Sequence, residues 1–505
     1  MSPDTRRSAR KVLRHINDAA ALRDNPLTRR FFRPQLSTES SLMTIRGVIA
    51  GALPPGSRAR RIVEECDFNG RSHKAVCRDM VLSERQFYRE RALAFDSIGR
   101  ALEREPATVS SAETRLALRI ESLHDLLAAG HAASVARTAD VVLGGGVPHS
   151  AVARLLALKG AAYARQGDAE PARQALHEAF ERSSGEIAHA DVLSARAASA
   201  YVDGALDEAA SLLRQAVKLT GSEPTLSDPA GVRAYLRHLY WLANVHEETN
   251  DAAGAQRLLD LAHGVLLSRA PDDLSMLGAI KTQTACVALC LPGEASRALE
   301  ELADAESIAC RVGSPILYAR VESLMAFTAL ATGPADAVRH ARVAVELAQS
   351  ALGGEELARV LLSSARVLTS CGDAPAALGL IELAKKHCVP GRYIDTIARF
   401  RHADALTAVG LHEEASHLAE SACAKISSVN RSHYLGSAHL AAARAKAALG
   451  KLPEAMEHVD AAMPLLEKSG FLIEVKRANE MAARITGDPV YARRTQEMCR
   501  LLNVS

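Results

Sequence analysis

One short pattern, returning about every forty residues, constrains this chain more than any other feature. A turn residue, usually glycine or asparagine, stands five positions before an alanine. It appears as Gly167-Asp-Ala-Glu-Pro-Ala172, Gly204-Ala-Leu-Asp-Glu-Ala209 and Asn250-Asp-Ala-Ala-Gly-Ala255. It returns as Cys290-Leu-Pro-Gly-Glu-Ala295, Thr332-Gly-Pro-Ala-Asp-Ala337 and Gly372-Asp-Ala-Pro-Ala-Ala377, then as Gly410-Leu-His-Glu-Glu-Ala415 and Gly450-Lys-Leu-Pro-Glu-Ala455. The final alanines are 37, 46, 40, 42, 40, 38 and 40 residues apart, and a degenerate copy, Gly130-His-Ala-Ala-Ser-Val135, lies upstream. Gly or Asn can end a helix in the left-handed conformation, and Pro and acids suit the first turn of the next one. The alanine lets the two helices approach closely. One such hairpin cannot bury its apolar face alone, so neighbours must stack into an array.

The residues of one copy carry a family resemblance. Around Ala172, the positions Leu156, Gly160, Tyr163, Ala172, Leu176 and Ala179 match the motif of the tetratricopeptide-repeat (TPR) family, and other copies keep the small residues Ala243, Ala365, Ala403 and Ala443. The resemblance covers roughly residues 112 to 485 and implies an α-solenoid of about eight or nine repeats, with residues 486–505 as a C-terminal capping helix. Periods near 40 resemble the variety found in bacterial regulators and kinesin light chains. The wide 46-residue interval holds Gly221-Ser-Glu-Pro-Thr-Leu-Ser-Asp-Pro229, which reads as a surface loop. In that family the first helix of each pair lines a concave surface. Carried onto this chain, its inward positions place Arg154, Tyr201, Arg237, Tyr240, Asn244, Arg359, Arg366 and Arg444 there, with Glu322 and Asp404 as the acids. Such a surface suits a protein or acidic peptide, whose carboxylates arginine grips in bidentate fashion.

Charge separates the N-terminal part from this array. Residues 1–104 hold 21 Lys and Arg against 12 Asp and Glu, whereas the remainder holds 40 against 47. A basic module joined to a mildly acidic one points to polyanion binding at the N-terminus. Within it, Leu42, Ile45, Ile49 and Leu53 form one helix face ended by Pro54-Pro55, and a second helix spans about Ser57 to Cys66. Ser72 caps a third helix. Ser83 and Gln86 make a capping box that opens a fourth through Phe87, Ala94, Phe95 and Ile98. The stretch 73–91 is similar to the helix-turn-helix of sigma-factor region 4 and related bacterial regulators, with Ala75 at the helix crossing and Leu82 and Phe87 as apolar anchors. Val81 stands where that turn often has glycine. Upstream, Leu22-Arg-Asp-Asn-Pro-Leu-Thr-Arg-Arg30 resembles a leader found beside such motifs in TPR-containing transcriptional regulators. The resemblance implies DNA contacts from Arg85 and Arg89, with Tyr88 and Glu84 beside them, and phosphate contacts from Arg91 and Lys74.

Other classes find little support. The longest apolar runs fall short of a membrane span, and the basic start lacks the apolar core of a secretory signal. Nine scattered cysteines without a CxxC argue against zinc and disulfide frameworks, and suit a cytoplasmic protein. Cys286 and Cys290, one turn apart, read as core. His412-Glu-Glu-Ala-Ser-His417 spaces its histidines by five, so they do not share the helix face a zinc protease needs. Gly450-Lys451 lacks the earlier glycine of a phosphate loop, Gly144-Gly-Gly146 follows no strand, and no Gly-x-Ser-x-Gly occurs. The expectation is therefore an all-α protein, not an enzyme, needing neither metal nor cofactor. It reads as a DNA-binding transcriptional regulator with a partner-binding TPR solenoid; the alternative is a TPR adaptor that does not touch DNA. A homodimer stays open.

Overall fold

The computed structural model describes residues 3–16, 19–29, 45, 48, 49, 52, 53, 57–63, 65, 66, 71–80, 82–103, 112–330, 333–426 and 431–502. Among these every regular element is helical. The chain divides into two compact units, residues 1–115 with 309–314, and residues 116–308 with 315–505.

In the first unit the helix Glu84–Glu103 serves two small cores. Its latter half, Ala94, Phe95, Ile98 and Leu102, packs with Val12, Leu13, Leu22, Ile45, Ile49 and Leu53. Its first turn sends Phe87 among Ile62, Val76, Cys77 and Leu82. Ile45, Ile49 and Leu53 are thus buried as the helical spacing predicts, while Leu42, Pro54-Pro55, Val81 and Arg30 lie outside the described residues. The helix expected over 57–66 is Arg58–Val63, opened by Ser57, whose Oγ accepts from the Arg60 N–H at 3.2 Å.

The second unit is a solenoid of antiparallel helix pairs. The first runs from Ala112–Ala128 to Ala132–Gly144, and the following pairs are built alike. The turns take the left-handed backbone at Gly130, Gly167, Gly204, Gly372, Gly410 and Gly450, and at Asn250, whose φ is 63°. Each turn closes by the same six-residue bond: Asp168 N–H to Tyr163 O at 3.0 Å, Ala205 to Ala200 at 2.8 Å, and Asp373 to Leu368 at 2.9 Å. The motif alanines Ala172, Ala209, Ala255, Ala337, Ala377, Ala415 and Ala455 are all buried. So are alanines seven positions on, at 179, 216, 262, 344, 384, 422 and 462. Two turns later on the same helix face, they meet the neighbouring helix again. Gly160 allows a similarly close approach, since a Cβ there would lie 2.6 Å from Leu176 Cγ.

Three expectations change. In the copy Cys290–Ala295 the alanine in register is Ala298, fully buried, whereas Ala295 is half-exposed. The left-handed turn there falls on Gly293, because the insertion Leu-Pro shifts the frame. The 46-residue interval is not a plain loop: Glu223–Leu226 forms a short helix, and Thr225 donates to Glu186 at 2.6 Å. Finally, the C-terminal helix Pro489–Leu501 pairs with Leu472–Thr486 through a left-handed Gly487, so the terminal cap is itself a further hairpin. Its turn, Gly487-Asp-Pro-Val-Tyr-Ala492, is one more copy of the motif.

The array also meets itself. The end of one first helix is capped by the start of the first helix six pairs later. Gly353 N–H donates to Ala129 O at 2.9 Å, and Arg392 donates to the carbonyls of Ala164 and Arg165. Arg431 donates to Tyr201 O at 3.0 Å. A helix C-terminus leaves such carbonyls without partners and carries negative dipole charge, so guanidinium is a fitting cap.

Candidate functional site

Two places gather the residues singled out by sequence. In the N-terminal unit the Ser72 side chain accepts from Ala75 N–H at 3.3 Å and opens the helix His73–Asp79. The capping box closes in both directions, Gln86 N–H to Ser83 Oγ at 3.2 Å and Ser83 N–H to Gln86 Oε1 at 3.0 Å. Phe87 is fully buried, and this fixes the rotation of the helix. Glu84, Arg85, Tyr88 and Arg89 consequently share one exposed face, with Lys74 exposed on the preceding helix. Arg91 differs. It is half-buried, lying over the rings of Phe87 and Phe95 at 5.9 and 5.5 Å. Arg71, which the sequence did not single out, pairs with Glu65 at 2.8 Å and with Asp79.

In the solenoid the residues placed on the inner face line up as layers of ion pairs. The first layer is balanced. Arg154 donates to Asp191 at 2.6 Å and Glu121 at 3.1 Å, and Arg237 donates to the same acids at 3.1 and 2.8 Å. Burial would raise the Asp191 pKa, but Arg154 and Arg237 outweigh it and hold the carboxyl well below its usual value. His124 and His238 flank Asp191 at 3.9 and 3.5 Å, and burial pushes both imidazoles down, toward the neutral form.

The second layer centres on Glu248. It accepts from Tyr201 OH at 2.9 Å and pairs with Arg431 at 3.0 Å. The Arg431 guanidinium stacks 3.5 Å above the Tyr393 ring, and Arg359 lies over its ring at 5.1 Å. Glu356 pairs with Arg320 at 3.3 Å and Arg165 at 3.6 Å. Beside them Glu247 accepts from Gln283 at 3.2 Å, and its carboxyl is pushed up to about 7 by burial and by Glu248. Tyr240 and Asn244 are half-buried here, their side chains hydrogen-bonded to each other. Burial and Glu247 raise the Cys286 thiol well above its usual value, which leaves it an unreactive core group.

The third layer carries a charge surplus. Arg366 pairs with Glu474 and lies 4.3 Å above Phe327; Arg477 reaches the same Glu474 at 3.2 Å. Arg444 and Arg401 share Asp404 at 2.9 and 3.7 Å. Glu322, placed on the inner face as an acid, instead binds His340 at 2.7 Å.

The register therefore brings the arginines together and supplies Asp404 as the partner of Arg444, but it missed the other acids. Glu121, Asp191, Glu248, Glu356 and Glu474 all come from first helices. Among the described residues no group of His, Cys, Asp and Glu could hold a metal ion, and no helix is long and apolar enough to cross a membrane.

No protein-family model matches the chain, and no curated protein matches it in sequence. Solved structures do resemble it. A Rap protein complexed with competence and sporulation factor is similar at 13% identity and a TM-score of 0.40, over 77% of this chain and 99% of that one. The hetero-tetramer Cut9–Hcn1 of the APC/C is similar at 10% identity and a TM-score of 0.41, over 90% and 98%. A signal-transduction ATPase from Pyrococcus horikoshii with a tetratricopeptide-repeat sensor is similar at 11% identity and a TM-score of 0.32, over 96% of this chain and 74% of that one.

Proposed function

We propose that the chain is a DNA-binding regulator whose N-terminal helix pair contacts DNA and whose solenoid receives a protein partner or effector. The observation that carries this reading is the exposed face Glu84, Arg85, Tyr88 and Arg89 on a Ser83-capped helix locked by buried Phe87. Side chains on the first turns of such a helix reach base edges in a major groove, while Lys74 suits a phosphate. The excess of basic residues in 1–104 supports the same assignment. An acidic peptide lying along the inner solenoid face, by contrast, would have to open the pairs of Arg154, Arg237 and Arg366. The test is selection of DNA sequences on the full-length protein, followed by titration of the winner at several salt concentrations. Arg85→Ala is expected to cost about 1–3 kcal/mol and relax the preference at one base pair, and Lys74→Ala to lower the salt slope by roughly one. If no sequence is enriched and affinity at low salt is absent, the DNA reading falls and the adaptor remains.

A further inference from the structure

The three inner layers differ in charge balance, and the difference falls beside a cleft. The first layer sets two guanidiniums against two carboxylates. The third sets four, Arg366, Arg401, Arg444 and Arg477, against Asp404 and Glu474. Arg401 is buried, with only a 3.7 Å approach to Asp404. Arg366 Nε is also buried and, like Arg237 Nε in the first layer, has no hydrogen-bond partner. Uncompensated buried charge is costly, so a chain that keeps it needs an anion from elsewhere. Consistent with this, burial depresses Arg401 and Arg444 to about 10, and the attraction of Asp404 makes up only part of that loss. In the first layer the acids outweigh burial and Arg154 and Arg237 are raised.

A cleft of about 470 Å³ opens onto this layer between the helices Ser432–Ala448, Leu472–Thr486 and Pro489–Leu501. Arg444 and Arg477 line it from the layer itself. Arg484 stands exposed among its walls, Thr495 offers a hydroxyl and Glu480 is its one acid. The cleft is open to solvent and has room for a small molecule. In the first layer both guanidiniums are spent on acids of the chain, and in the second Arg165, Arg320 and Arg431 are, so an extended ligand finds no continuous track.

We propose that this cleft binds a small dianionic oxyanion, a phosphate ester or a polycarboxylate, held by Arg444 and Arg477 with Arg484 at the mouth. The anion supplies the two negative charges that the third layer lacks. Guanidinium forks suit planar carboxylates and phosphate faces equally. The site goes beyond the DNA reading and stands without it, being assigned to the solenoid alone.

The test is isothermal titration of the full-length protein with inorganic phosphate, citrate and a hexaglutamate peptide, each at matched ionic strength. Phosphate or citrate is expected to bind one to one, and their relative affinities separate the phosphate source from the carboxylate source. Arg477→Gln with Arg484→Gln, both at solvent-accessible positions, should weaken binding roughly tenfold or more, and Glu480→Gln should tighten it several-fold. Circular-dichroism melts of the variants establish that they are folded. Equal affinity in parent and double variant overturns the site, as does a parent that binds neither small anion. Binding of the peptide alone overturns the small-ligand assignment.

Discussion

At the scale of single residues, the inner arginines are held by geometry that a register cannot convey. Helical spacing places Arg237 on an inner face, but its partner Glu121 lies 116 residues away along the chain. Sequence displays the sign of a charge and the face it occupies; the distance to an opposite charge depends on how the helices stack. Removing one partner of a buried pair strands the other, so Arg237→Ala should lower stability by about 3–5 kcal/mol in denaturant titration. A loss near zero would mean that the layer is neither buried nor paired as described. Glu247 gives a prediction in pH. Its carboxyl, raised to about 7 by burial and Glu248, holds a proton in the folded chain that the unfolded chain releases near 4.5. Stability contributed by this group is thus present at low pH and falls as pH climbs from 4.5 through 7. Glu247→Gln, which keeps the bond to Gln283 available, should raise the melting temperature more at pH 7.5 than at pH 5. An identical shift at both would show that burial does not hold a proton on this carboxyl as described.

At the scale of the element, much was legible because the determinants are local. The turn glycines, the alanines five residues on and the Ser83–Gln86 box each depend on a few consecutive residues, and each takes its expected geometry. The misreading at Ala295 has the same root. Cys290–Ala295 carries a proline, a glycine and an alanine, yet the helix opens at the Glu294 carbonyl, which accepts from Ala298 N–H at 2.9 Å. The extra hairpin at Gly487 repeats the turn chemistry without the packing, since its alanine, Ala492, is exposed. Ala377→Leu should destabilise by about 1–3 kcal/mol, because the fully buried Cβ has no space beside it. The same change at Ala492, which is exposed, should be nearly silent. Comparable effects at both sites in thermal melts would dissolve the distinction between array and terminus.

At the scale of the molecule, the contact between pairs six apart was invisible in the sequence. No single residue announces that Gly130 and Gly353 touch, although the helix starts at 353, 392 and 431 recur every 39 residues. A Cβ on Gly130 would stand 1.9 Å from Gly353 O, and its φ is +87°. Gly130→Ala should therefore speed hydrogen exchange at the Gly353 amide, a distant readout that a purely nearest-neighbour array would leave unchanged. The same contact sets a schedule for synthesis. Ala351, whose carbonyl meets His131, is joined to the chain 220 residues after it. At about 5–20 residues per second, roughly 10–45 s pass between the two. Helix pairs that depend only on their neighbours can form in that interval, and Arg165 and Arg320 can already reach the Leu127 and Ala128 carbonyls, but the Ala129 carbonyl waits for the Gly353 N–H. The growing array is therefore fastened in stages, by Arg237 on Glu121 when the fourth pair is made and by the Gly353 amide only when the seventh arrives.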